Sequence, residues 1–245
     1  MKVTDIISDK INRLPTGYIF TYEEFTPQVN NIYALTKALN RMVQEGKIRK
    51  LSIGRFYKPR FTDFGELKPE AYQVVKDLLE QNNKITGYLT GYSVYNQLGL
   101  STQVSSIIQI GINETKKSTK RGMYNIWFMK QPNSITKENI PLFRILDAIR
   151  NIKEIPDTTI DQSCNVISEL IKSLTNSEKE NFIRLAKKYN PGTRALTGAL
   201  YENCLGKNTA EQLLESLNPS SSYEFGISDN ILPNKQKWNI SWTFI

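Results

Sequence analysis

Histidine is absent from all 245 residues. That absence removes Ser-His-Asp and Cys-His nucleophile systems, imidazole-based zinc sites, and the side chain that most often moves protons near neutrality. Cysteine is scarce. Cys164 and Cys204 lack C-x-x-C spacing and read as reduced thiols, not as a disulfide or a metal cluster. No stretch approaches the ~20 consecutive apolar residues that span a bilayer. The start, MKVTDIISDKINRL, alternates charged and aliphatic residues and has no secretory-signal core, so a cytoplasmic protein is expected. The sequence also lacks G-x-x-x-x-G-K-S/T and a G-x-G-x-x-G after a strand, so no nucleotide cofactor or metal is expected. Glu66-Leu67-Lys68 with Asp63 nearby resembles a carboxylate–lysine set for a divalent metal. It falls in an expected linker that offers no strand to hold such ligands, and a non-enzymatic protein is the expectation.

Charge is what the chain does have, and it is unevenly placed. The net charge is +8, with a balance of +6 in residues 1–60 and +2 in residues 61–245. A basic module joined to a nearly neutral body points first to nucleic acid as the partner.

In the first sixty residues, Thr4 is a candidate N-cap for a helix over 4–14, with Ile6, Ile7, Ile11 and Leu14 on one face. After Pro15-Thr16-Gly17, YIFTYEEF reads as a short extended piece and a helical turn. The stretch NIYALTKALNRMVQEG predicts a strong helix, with Ile32, Leu35, Ala38, Leu39, Met42 and Val43 facing inward and Gly46 at the C-terminal cap. The opposite stripe is Tyr33, Lys37, Asn40, Arg41 and Gln44, side chains that can donate to base edges or phosphates. KIRKL, SIGR and FYKP then predict a hairpin turning at Gly54. Ile48, Leu51 and either Phe56 or Tyr57 would anchor it, while Lys47, Arg49, Lys50, Arg55 and Lys58 face outward. Helix, short helix, longer helix and basic hairpin is the order of a winged helix-turn-helix, whose third helix enters the major groove of double-stranded DNA. The same fold also serves as a protein-docking adaptor, here with an acidic protein partner.

Residues 61–68 read as a linker and 69–245 as a second domain. That domain divides into a mixed α/β part over 69–133, a mainly helical part over 134–217 and a strand-like tail over 218–245. The fold class expected is therefore α+β. VSSIIQIGIN and GMYNIWFMK read as strands joined by a solvated basic tip, and a helix is expected near 93–98. Tyr88, Tyr92 and Tyr95 read as packing residues and only secondarily as a stacking platform for bases. Thr175 with Glu178, and Asn208 with Glu211, have the spacing of a capping box or a close variant. The tail is a candidate to pair with the central sheet.

LPTGYIFTYEEF, ALTKALNRMVQEGKIRKLSIGRFYKP, FGEL, GYLTGYSVYNQLGLSTQV and ITKENIPLFRILDAIRNIKEIPDTT together resemble bacterial abortive-infection antitoxins of the AbiEi type, from type IV toxin–antitoxin systems. They are closer still to a related winged-helix group that shares the TGYSVYNQLGL segment. The resemblance implies a two-part protein. Its winged helix would bind inverted repeats in its own promoter, and the remainder would oppose a nucleotidyltransferase-like toxin, without needing a stable complex with it.

Overall fold

The computed structural model describes residues 3–206 and 209–241. The described residues form a mixed α+β protein with eight α-helices and several small sheets. The chain divides into two compact units, Met1–Leu78 with Thr119–Asn125, and Leu79–Ser118 with Ile126–Ile245. None of the described helices is long and apolar enough to cross a membrane.

Unit 1 begins with α1 (Val3–Arg13), β1 (Ile19–Thr21) and α2 (Ile32–Gln44). Thr4 lies inside α1 and is not its cap. Asn31 caps α2 by accepting from the Ala34 amide at 3.0 Å. At the other end Gly46 takes φ 75°, Lys47 N–H donates to Met42 and Gly46 N–H to Val43, the paired bonds of a Schellman stop. Leu35, Ala38, Leu39 and Met42 are buried as their spacing predicts. Ile32 is an exception at 63% exposure, because it opens the helix before the core begins.

Strands β2 (Arg49–Ser52) and β3 (Arg55–Tyr57) pair antiparallel, and β1 adds to β3, giving the order β1–β3–β2. The register sets Phe20 against Phe56 and Arg49 against Tyr57. Phe20 meets Phe25 at 5.7 Å and Phe56 at 6.1 Å between ring centroids. With Ile7, Ile11, Leu39 and Ile48 these rings form the core of the unit. Phe56, not Tyr57, is thus the hairpin's anchor. The stretch expected as a linker is a second hairpin, β4 (Arg60–Thr62) with β5 (Gly65–Leu67), followed by α3 (Ala71–Leu79).

Unit 2 continues with the short pair β6 (Glu80–Gln81) and β7 (Lys84–Ile85), then β8 (Gly87–Thr90) and β9 (Ile107–Ile112). Strand β10 (Thr119–Arg121) and the first two residues of β11 (Tyr124–Lys130) belong to unit 1, and the strand order is β10–β11–β9–β8. No α-helix forms at 93–98. A single 3-10 turn at Gly91–Ser93 and following turns replace it, held where the Tyr92 amide donates to Gln109 Oε1. The helical part is α4 (Ile140–Arg150), α5 (Ile160–Ser173), α6 (Asn176–Ala186), α7 (Pro191–Leu205) and the short α8 (Glu211–Leu214). Thr175 and Glu178 form the capping box of α6, whereas Asn208 lies outside the described residues. The tail does not join the central sheet. Its β12 (Tyr223–Glu224) pairs in parallel with β13 (Ile240–Ser241), and residues 242–245 lie outside the described residues. Trp238 explains this course, because its ring fills the space over Gly198 of α7 and its indole N–H donates to Glu202 at 3.0 Å.

A polar cluster lies inside this apolar unit. Asp147 of α4 is fully buried and accepts from Tyr88 and Thr90, both at 2.7 Å, and from Tyr189 at 2.9 Å. Gln131 Nε2 donates to both tyrosine hydroxyls at 2.8 and 2.7 Å. Tyr88 and Tyr95 are therefore core groups. Burial raises the Asp147 carboxyl above its ordinary range, and the three hydroxyls oppose that shift. Tyr189→Phe removes one donor from the carboxylate and one acceptor from Gln131. It should cost unit 2 about 1–3 kcal/mol. Denaturant melts followed by tryptophan fluorescence test this, since Trp127 and Trp238 lie in this unit and the stretches of unit 1 contain no tryptophan. An unchanged midpoint would mean the cluster is not a stabilising network.

Candidate nucleic-acid interface

The outer face of α2 carries Tyr33, Lys37, Asn40, Arg41 and Gln44, all exposed. With Thr4, Ala34, Thr36 and Ala38 they line a concavity of about 680 Å³ along the helix. Tyr33 is 78% exposed and makes no side-chain bond among the described residues, as is also true of Lys37, Asn40 and Gln44. Arg41 lies 3.4 Å from Glu45, and Lys47 meets the same carboxylate at 2.8 Å. The Lys47 hydrogen bond, joined by the charges of Lys47 and Arg41, holds the Glu45 carboxyl below its usual range. Exposed pairs of this kind contribute little, so both cations can exchange partners at small cost. Thr36, three residues after Tyr33 and four before Asn40, falls on this stripe by the helical period, whereas Thr4 was not legible as part of the face. Which turn of α1 meets α2 is a tertiary fact with no local signal.

The hairpin β2–β3 differs from its sequence reading. Lys50 is exposed and carries no side-chain partner among the described residues. Three other cations expected to face outward are engaged internally. Arg49 Nε donates to Glu66 of β5 at 3.0 Å, and its Nη1 donates to the Gly46 carbonyl at 3.2 Å. Arg55 donates to Asp77 of α3 at 2.7 Å. Lys58 Nζ donates to the Asn12 and Leu14 carbonyls at 3.0 and 3.2 Å, closing the C-terminus of α1 where a cation is favoured. Glu66, read earlier as a metal-ligand candidate, also accepts from Tyr57 at 2.9 Å. Burial and this hydrogen bond push the Tyr57 hydroxyl up to about 12. No group of acidic or thiol side chains that could hold a metal ion occurs among the described residues.

Residues 6–189 match the protein family described as "Family of unknown function (DUF6088)". The chain belongs to this family. The DUF6088 match takes in α2, both hairpins and the sheet, and ends at Tyr189, a member of the Asp147 cluster. No curated protein matches the sequence. Among solved structures, the crystal structure of the RV2827C protein from Mycobacterium tuberculosis is similar at a TM-score of 0.63 and 11% identity. The alignment covers 96% of this DUF6088 chain and 89% of that one, and at such identity the likeness is one of fold.

Asp77 also accepts from Arg121, whose Nη2 lies 2.8 Å away and whose Nη1 reaches the Val74 carbonyl at 2.7 Å. Burial works against this carboxylate, but Arg121 and Arg55 together hold it below its usual range. A depressed carboxyl stabilises the fold above its unfolded pKa of about 3.9, and that contribution is lost as pH falls through the lower folded value. Asp77→Asn should therefore weaken unit 1 at neutral pH and match the unsubstituted protein in strong acid. Hydrogen exchange of the Phe20 and Phe56 amides reads this, and a gap that persists unchanged in acid would contradict it.

Proposed function

We propose that residues 1–60 act as a winged helix-turn-helix that binds double-stranded DNA, with α2 in the major groove and β2–β3 as the wing. The observation that carries this reading is the outer face of α2. Tyr33, Lys37, Asn40 and Gln44 stand together, exposed and unpartnered among the described residues, beside exposed Arg41. A stripe of donors at helical spacing is what base edges and phosphates require. The wing contributes Lys47 and Lys50, while Arg49, Arg55 and Lys58 hold the unit together.

The wider role follows from the antitoxin resemblance. The protein is proposed to repress its own promoter by binding inverted repeats, and to oppose a nucleotidyltransferase-like toxin encoded beside it. Support for this second part comes from the TGYSVYNQLGL segment and its neighbours, and it is kept distinct from the DNA reading. Co-expression with the adjacent gene product decides it. A neighbouring nucleotidyltransferase-like protein that arrests growth should be relieved by this chain, and arrest that continues unchanged would exclude the antitoxin role.

Binding to the DNA upstream of the gene should show a steep salt dependence, each phosphate contact adding roughly 0.9 to the log–log slope. Lys37→Ala and Lys50→Ala should each lower the slope by about one unit, while Arg55→Ala and Lys58→Ala should leave it unchanged and act through stability. Arg41→Ala should relax sequence preference by roughly 1–3 kcal/mol if its guanidinium reads a guanine. Gel shifts that show no complex even at low salt would end the proposal.

A further inference from the structure

Unit 1 exposes one feature that the DNA reading leaves unused, the hairpin β4–β5. Its turn is Asp63-Phe64, followed by Gly65 at φ 110°. The Phe64 ring is fully exposed and Phe61 is 63% exposed, although aromatic side chains commonly bury 150–250 Å² each. The hairpin is fixed in place, because Glu66 is held by Arg49 and Tyr57. Beside its base lies a cavity of about 250 Å³ lined in part by Pro15, Tyr18, Leu67 and Pro69. Arg60 and Lys68 also line it, with Glu70 as its single acid. Asp63, Arg60 and Lys68 make no ion pair among the described residues.

Tip and cavity are complementary. One offers an aromatic ring beside a carboxylate, and the other apolar lining from Pro15, Tyr18, Leu67 and Pro69 together with two cations. They do not meet within a molecule, since Phe64 and Leu67 lie at opposite ends of a short strand, roughly 10 Å apart at ~3.3 Å per residue. Two copies with their hairpins antiparallel about a two-fold axis would bring each tip to the other's cavity and Asp63 to the partner's Arg60 and Lys68. Such a contact is isologous, with the same patch used on both sides. We infer that the β4–β5 hairpin is a self-association surface whose occupant is a second copy of this chain. A DNA base step fits less well, because Asp63 adjoins Phe64 and would be set against phosphate. The contact forms without DNA and is independent of the nucleic-acid reading.

Sedimentation velocity of the full chain without DNA, over a wide concentration series, measures the association. Phe64→Ser should weaken it at least roughly tenfold, given two rings removed from each contact. Asp63→Lys should weaken it as well, and combining that change with Arg60→Asp and Lys68→Asp should restore it. All these positions are exposed, so circular dichroism should be unchanged. A chain that stays monomeric throughout, a Phe64→Ser protein that associates as before, or a charge-swapped protein that stays dissociated would each overturn the assignment. Monomeric protein whose DNA binding alone falls in Phe64→Ser would make the ring a base wedge instead.

Discussion

Asp77 takes hydrogen bonds from two guanidinium groups, Arg55 in the β2–β3 hairpin and Arg121 in the segment Thr119–Asn125. Unit 1 gathers three stretches of chain on this one carboxylate, spaced 22 and 44 residues from it in sequence. A half-exposed carboxylate with two guanidinium partners has a geometry that isolated surface pairs lack, because the planar fork of Arg121 holds both oxygens and Arg55 adds a single bond to one of them. Glu66 repeats the arrangement with Arg49 and Tyr57, which face each other across the β2–β3 ladder. The two carboxylates thus decide which cations of the unit remain available to a partner. They leave the α2 face, Lys47 and Lys50 free of them, as well as Arg60 and Lys68 of the second hairpin.

Unit 2 solves a related problem without cations. Asp147 is buried among α4, β8 and Tyr189, and its oxygens are met by three hydroxyl donors. The chain of donors has a direction, from the Gln131 amide to the two tyrosine hydroxyls and on to the carboxylate. Each phenol then both accepts and donates, so no member is left half-satisfied, which is the condition under which a buried polar network is tolerable. Asn133 extends the network by donating to Gln131 Oε1 and to the Leu185 carbonyl. Sheet and helices are therefore registered by hydrogen bonds as well as by apolar packing.

Much of this was legible in the sequence wherever a short-range rule applied. The helical period placed Leu35, Ala38, Leu39 and Met42 inward, Gly46 marked the end of α2, and Thr175 with Glu178 marked the start of α6. The exposed stripe of α2 followed from the same period. Long-range pairing was not legible. Lys58 reads as a hairpin cation, yet it closes a helix 44 and 46 residues earlier in the chain. Arg55 and Arg49 look identical to free surface arginines until Asp77 and Glu66 are brought beside them. The β4–β5 hairpin was hidden for another reason. FTDFG lacks the Asn-Gly or Asp-Gly pair that marks a two-residue turn, and its apolar residues face solvent, so alternation gave no signal.

The internal use of three cations bears on the proposed DNA reading. Affinity for a duplex rises with each phosphate neutralised, and a copy whose proposed groove and wing present only Lys37, Arg41, Lys47 and Lys50 has few to offer there. A single unit of this kind would bind weakly and read a short half-site. Joining two copies makes the second binding event intramolecular, which raises the effective affinity without adding a contact to DNA. An inverted repeat has the symmetry that such a pair would match. On this view the cations spent on stability and the aromatic ring left in solvent are two sides of one arrangement. If both proposals hold, the unit gives up phosphate contacts to keep its hairpins rigid, and a rigid hairpin would let a second copy restore the lost affinity.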